Sequence, residues 1–298
     1  MIQRRYLIAV TILLLSSSLE AENFKLLFLQ GGENTSGLDM SYDTYLDKSK
    51  IWRIGVNYYS NKSATAKKFD LINKEGKIAT EMDKMDMSAF LVYDFPFNLS
   101  FGVEYAQFKE DSEQWGYYKD KTDYLPYDHF VTLKGSKVSI KMISFYISDK
   151  FWIDLRASLT PKTKLDIEQN TEIYPNHIKG GHLKTKATIG SSYKIDTQMQ
   201  WEVGNIVNVA SVDFGIEGSY EFIPYEYEMM VKTKSGYTKK IAKYDEKRSE
   251  YFASLTFKDD KKFDGYGVSV KYGQTKIQRD NLKTVSENIL KFGIEKWF

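Results

Sequence analysis

Beyond residue 22 the apolar positions alternate with polar ones and do not recur every third or fourth residue. In Leu99-Ser100-Phe101-Gly102-Val103-Glu104-Tyr105 every second side chain is apolar, and those between are small or charged. Residues 151–159 follow the same rule, with Asp154 and Arg156 between Ile153, Leu155 and Ala157, and so do 212–220, 251–257 and 266–272. Successive side chains of a strand point to opposite faces, so this spacing predicts strands with one face in an apolar medium and the other in a polar one. Segments with this reading fall at 24–30, 37–46, 50–60, 86–94, 98–108, 137–147, 151–160, 183–194, 198–206, 210–221, 225–233, 249–258, 265–275 and 286–298. No stretch of comparable length holds a helical stripe.

The connections are of two kinds. Asp94–Asn98, Ser148–Lys150, Ile195–Gln198 and Phe222–Tyr225 read as tight turns, whereas the polar stretches near 61–84, 110–135, 161–182 and 234–248 read as long loops. Their alternation describes an antiparallel meander with one plain and one elaborated rim, the asymmetry of membrane barrels. The expected fold is all-β: a transmembrane antiparallel meander β-barrel of about 14 strands. Twelve is the alternative, if Gly31-Gly32-Glu33-Asn34 fails as the loop of the 24–46 pair. A soluble sandwich or lipocalin-like barrel also alternates, with its apolar face inward. Aromatics near strand ends, among them Trp52, Tyr93, Phe95, Phe97, Phe151 and Trp152, favour the membrane, because Trp and Tyr rings suit an interface.

The first 21 residues break the alternation. Arg4 and Arg5 precede an apolar run from Leu7 to Leu15 and a small-residue stretch ending at Ala21, the form of a secretory signal peptide cleaved after Ala21. Nine apolar residues are too few to span a bilayer core, which takes about 20. Residues 22–298 then form a single domain. The 298 residues include no cysteine, which excludes disulfides, thiolate metal sites and a Cys nucleophile. Basic and acidic residues, 42 and 40, nearly cancel, so no electrostatic argument points to nucleic acid.

The chain ends with Leu290, Phe292 and Ile294 alternating, a Lys291-Phe292-Gly293 step, and a terminal Phe298. In these features it resembles the outer-membrane β-barrel superfamily of bacteria, although Lys296 stands where that superfamily usually has an aromatic or apolar residue. The resemblance implies that Leu290, Phe292, Gly293, Ile294 and Phe298 form the signal read by the barrel-assembly machinery, and that the protein sits among outer-membrane lipids.

Catalytic motifs are sparse. The three histidines, His129, His177 and His182, all fall in predicted outer loops, and Asp128-His129 resembles omptin-type proteases only superficially, because the further carboxylates such a site needs have as candidates Asp83 and Asp86, on another loop at unremarkable spacing. No His-x-Ser step, metal-ligand spacing or phosphate loop occurs, so no enzyme, cofactor or metal is expected. The polar faces offer sorted charge instead. With the apolar faces toward lipid, Lys141, Arg156, Lys184, Lys186 and Lys194 point inward from the middle strands, and Glu202, Asp213, Glu217, Glu221, Glu226, Glu228 and Glu250 from those that follow. Two opposed walls would set a field across a lumen. The expected function is a porin-like channel for passive diffusion of small hydrophilic solutes, with Lys141, Arg156, Lys184, Lys186, Glu202, Glu217, Glu226 and Glu250 lining the pore. In a narrow lumen the walls would instead pair and close it. The rivals are a non-conducting barrel whose long loops bind a surface partner, and a barrel protease or lipase.

Overall fold

The computed structural model describes the backbone of residues 23–31, 35–71, 74–120, 123–148, 150–173, 178–206, 210–233, 236–258, 266–280 and 284–296. Alternation becomes strand throughout: β1 (Asn23–Gly31), β2 (Ser36–Tyr45), β3 (Trp52–Leu71), β4 (Lys74–Phe95), β5 (Leu99–Asp120), β6 (Asp123–Ser148), β7 (Phe151–Thr160), β8 (Thr163–Ile173), β9 (Ile178–Ile189), β10 (Ser192–Ile206), β11 (Ala210–Thr233), β12 (Gly236–Lys258), β13 (Tyr266–Arg279) and β14 (Val285–Lys296). Every pairing is antiparallel, and β1 pairs with both β2 and β14, so the sheet closes into a barrel without free edges.

The fourteen strands make twelve staves. Strand β6 pairs with β7 over Ile140–Ser148 and with β8 over Tyr127–Lys134, while β11 pairs with β10 and then with β9. Thus β7 and β8 are two lengths of one stave, and β9 and β10 two lengths of the next. Both breaks carry one extra residue. Between the pairs Ile140↔Leu159 and Lys134↔Asp166, β6 advances six residues and its partner seven; between Phe222↔Tyr193 and Tyr225↔Ile189, β11 advances three and its partner four.

Two expected turns are strand. Ile195–Gln198 lies inside β10, and Phe222–Tyr225 lies inside β11. Pro224 is tolerated there because it faces the break in the neighbouring stave, where the ladder is already interrupted and its carbonyl accepts a bond from Gly190 N at 2.9 Å. The predicted loops are also largely strand: β3–β4, β5–β6 and β11–β12 continue as paired ribbons, and 161–182 contains β8 and the start of β9. Their outer faces carry polar residues such as Lys164, Asp166 and Glu168 where the lipid-facing strands carry apolar ones, so their sequence reads as loop.

Strand length divides the wall. Strands β3 to β6, β11 and β12 have 20–26 residues, against 9–14 in β1, β2, β13 and β14. About 9–11 residues suffice to span a bilayer, so one rim stands far above any membrane. The opposite rim is plain. There the Asp47 carboxylate accepts from the backbone N of Ile51 and Trp52, each at 3.2 Å, and Asn98 adopts the left-handed φ of 58° that its short amide side chain tolerates.

Candidate functional site: the lumen and its charged chamber

The barrel is apolar outside. Thirty-four large apolar side chains among the described residues are exposed, including Ile54, Leu91, Phe101, Val103, Ile140, Ile216, Leu255, Val270 and Phe292. A soluble monomer rarely shows a contiguous apolar patch of more than a few hundred Å². Near the plain rim the exterior carries linked rings: Trp52–Tyr93 at 5.1 Å, Tyr93–Phe95 at 4.9 Å, Phe151–Trp201 at 5.3 Å and Trp201–Phe214 at 5.8 Å. A second group, Tyr193, Tyr220 and Phe222, lies higher. Trp201 and Tyr193 are eight residues apart on β10, about 26 Å along the strand and about 20 Å along the axis at a tilt of about 40°, close to the ≈ 25 Å apolar band of such barrels.

The interior has three levels. In the half nearest the plain rim every one of the twelve staves contributes a buried inward side chain: Asn23, Asp43, Arg53, Val92, Ser100, Ile143, Asp154, Gln200, Asp213, Thr256, Ser269 and Glu295. Arg53, Val92, Ser100, Thr256, Ser269 and Glu295 are 0% exposed, so this floor fills the lumen. Asn23 Nδ2 donates to Asp43 Oδ1 at 2.8 Å, Trp152 Nε1 to Gln200 Oε1 at 2.9 Å, and Arg53 Nη2 to Ser100 Oγ at 3.2 Å. Lys271, also 0% exposed, bonds both Glu217 and Glu295.

Above the floor is a chamber of about 340 Å³ lined by eight basic and eight acidic side chains. The charges interleave. Lys141 pairs with Glu104 at 3.2 Å, Lys194 with Asp196 at 3.1 Å, Lys25 with Asp39 at 2.9 Å and Arg156 with Asp154 at 2.7 Å. Glu104 is a hub, also accepting from Ser88 at 2.7 Å and Ser158 at 3.3 Å. Two arginines reach across the barrel: Arg156 on β7 stands 3.9 Å from Asp43 on β2, and Arg248 on β12 stands 3.3 Å from Glu110 on β5. Each bridge joins staves five places apart in a ring of twelve, so the lumen is pinched above and below the chamber. Beyond the upper bridge the interior turns apolar, with Leu165, Ile189, Ile223 and Tyr225 packed among Phe108, Leu133 and Tyr244.

The expected pore residues separate into two groups. Lys141, Arg156, Glu217 and Glu250 line the chamber, as do Lys194 and Glu221. Lys184, Lys186 and Glu226 lie on the outer surface of the tall wall, in exposed pairs with Glu168, Asp166 and Lys243. The hydrogen bonds from Lys186 and Lys243 hold Asp166 and Glu226 below the usual carboxylate range. Glu202 is exposed near the plain rim. Two opposed walls therefore do not form: the expected basic residues Lys141, Arg156 and Lys194 are paired with Glu104, Asp154 and Asp196, and the expected acidic residues Glu217 and Glu221 with Lys271 and Arg248. Inward residues that the expected charge pattern omits include Asp39, Asp43, Arg53 and Glu295; period-two parity from Asn57 along β3 and from Lys291 along β14 reaches Arg53 and Glu295, whereas Asp39 and Asp43 are placed by the pairing of β2 with β1.

The expected 1–21 leader, His177 and Phe298 lie outside the described residues, and the side chains of Asp128, His129 and His182 are likewise not described. Leu290, Phe292 and Ile294 face outward on β14, with Gly293 inward against β1.

A closed antiparallel barrel with an apolar girdle and a charged lumen defines the class: a transmembrane β-barrel of the outer-membrane type. No protein-family model and no curated protein matches the sequence. Solved structures that it is similar to include the translocator domain of the autotransporter NalP from Neisseria meningitidis, at 10% identity and a TM-score of 0.49, covering 100% of this chain and 95% of that one. Another is the beta domain of the Bordetella autotransporter BrkA, at 10% identity and 0.47, covering 93% and 98%. A third is the Pseudomonas putida toluene transporter TodX, at 8% and 0.44, covering 95% and 91%. At such scores the class rests on this chain's own closed sheet and girdle.

Proposed function

We propose that this protein is an outer-membrane pore for small hydrophilic solutes that is gated instead of permanently open. The observation that carries the reading is a polar, charge-balanced chamber standing on a floor whose polar atoms are incompletely matched. Nine buried floor atoms of the described residues lack a protein hydrogen-bond partner, among them Arg53 Nη1, Asp154 Oδ1, Gln200 Nε2 and Glu295 Oε2, and Arg53 Nε stands 3.5 Å from Asp94 Oδ2 without closing a hydrogen bond. Each unsatisfied buried group costs about 1–3 kcal/mol, so water entering the floor would recover part of that cost. A solute would enter from the tall rim past Arg248–Glu110, rest in the chamber, and leave when Arg156–Asp43 and the floor give way.

On this reading the chain is exported under its 1–21 leader, inserted by the barrel-assembly machinery, and oriented with the plain rim in the periplasm. It is not an enzyme and carries no cofactor. The test is conductance in planar bilayers. The wild-type barrel should be mostly closed with brief steps, and Arg156→Ala combined with Arg248→Ala should lengthen the open time at least about tenfold, as the loss of two bridges at about 1 kcal/mol each implies. Silence from both proteins would refute the pore. The rival would then stand, a non-conducting barrel whose tall wall binds a surface partner, favoured by strands at least twice the length that a membrane needs.

A further inference from the structure

We infer that the chamber is a binding site for small zwitterions, solutes of amino-acid size carrying one ammonium and one carboxylate. The inference deepens the pore reading and rests on it only in treating the ligand as a transported solute. About 340 Å³ is the room of about eleven waters. With eight charges of each sign around it, the chamber has no net formal charge to concentrate either ion. A lone cation or anion would have to take one member of a wall pair and leave the other unpaired in a confined space. A zwitterion takes both members, so the balance is kept.

The looseness of one cluster shows where this exchange is easiest. Lys291 Nζ stands 3.6 Å from Glu250 Oε2, 3.7 Å from Asp39 Oδ2 and 4.1 Å over the Phe252 ring. A closed charge-assisted bond is about 2.7–2.9 Å, so Lys291 is shared among partners without closing on any of them. A ligand carboxylate would accept from Lys291 Nζ, while the ligand ammonium donates to Glu250 over the Phe252 face. Two further lining groups point to a polar ligand: Gln198 Nε2, a donor, and Asp154 Oδ1, an acceptor, are buried without a hydrogen-bond partner.

The experiment is calorimetric titration of the folded full chain in detergent with L-glutamine, and separately with sodium acetate and methylammonium chloride at equal ionic strength. Glutamine should bind saturably, and each half-ligand at least about tenfold more weakly, as the loss of one charged hydrogen bond implies. Lys291→Gln with Glu250→Gln keeps the chamber neutral and should weaken glutamine binding at least tenfold. The reversal Lys291→Glu with Glu250→Lys should retain it. Each variant is checked by the heat-dependent gel shift of a folded barrel, and Gln198→Leu replaces any that fails to fold. Unsaturable glutamine binding, acetate binding of equal strength, or undiminished binding by the neutral pair would overturn the inference. Conductance without glutamine binding removes this site and leaves the pore; binding without conductance does the reverse.

Discussion

Lys271→Met asks whether the lower lumen is dry. The Lys271 ammonium is 0% exposed and bonds Glu217 and Glu295, the latter also 0% exposed. Met fills nearly the same volume, so little of the cost comes from a cavity. What remains is the buried Glu295 carboxylate facing Glu217, which is 19% exposed on the chamber wall, without their cation. Removing one partner of a dry ion pair costs about 3–5 kcal/mol, whereas the same pair in water is worth about 0–1 kcal/mol. The two environments thus differ by at least about 2 kcal/mol, well outside the error of a urea titration. Adding Glu295→Gln removes one stranded charge and should recover part of the loss, giving a favourable coupling energy in the double-mutant cycle. The assay is urea unfolding of the barrel in detergent, followed by tryptophan fluorescence and by the mobility of unheated samples on gels. A loss below about 1 kcal/mol, or a double mutant that simply adds, would refute the filled floor, and the closed state of the pore with it.

Phe101→Arg places a charge in the girdle and should cost about 2–4 kcal/mol, read as a lower folded fraction after refolding into vesicles; an unchanged fraction would show that this face does not meet lipid. Gly293→Ala should impair closure, since a Cβ there would lie 1.9 Å from Leu26 O on β1, and the gel-shift yield in the outer membrane measures it. Lys184→Gln with Lys186→Gln should alter stability by no more than about 0.5 kcal/mol and leave conductance unchanged, because both side chains stand in water outside the lumen. A change in single-channel conductance for that pair would return them to the pore.

The sequence by itself determined the class of fold and most of the inside–outside division. Alternation along 98–108, 151–160 and 249–258 already assigns Phe101, Leu155 and Leu255 to the exterior and Glu104, Arg156 and Glu250 to the lumen, because period two is a property of the strand itself. What only the tertiary structure decided is register. Parity carries along a strand until one residue is inserted, and then every side chain beyond it changes face. The extra residue at Gly190–Ser191 puts Lys184 and Lys186 outside although Lys194 is inside. The absence of a turn at Phe222–Tyr225 keeps odd residues inward along β11 and so turns Glu226 outward. Neither event leaves a local mark: Pro224 reads as a turn until the broken ladder beside it is seen. The pairing of charges is equally a matter of closure. Arg156 meets Asp43, and Arg248 meets Glu110, across 113 and 138 positions of sequence, because a ring of twelve staves is narrow enough for an arginine to span it. That width turned two expected walls into a chamber held between bridges.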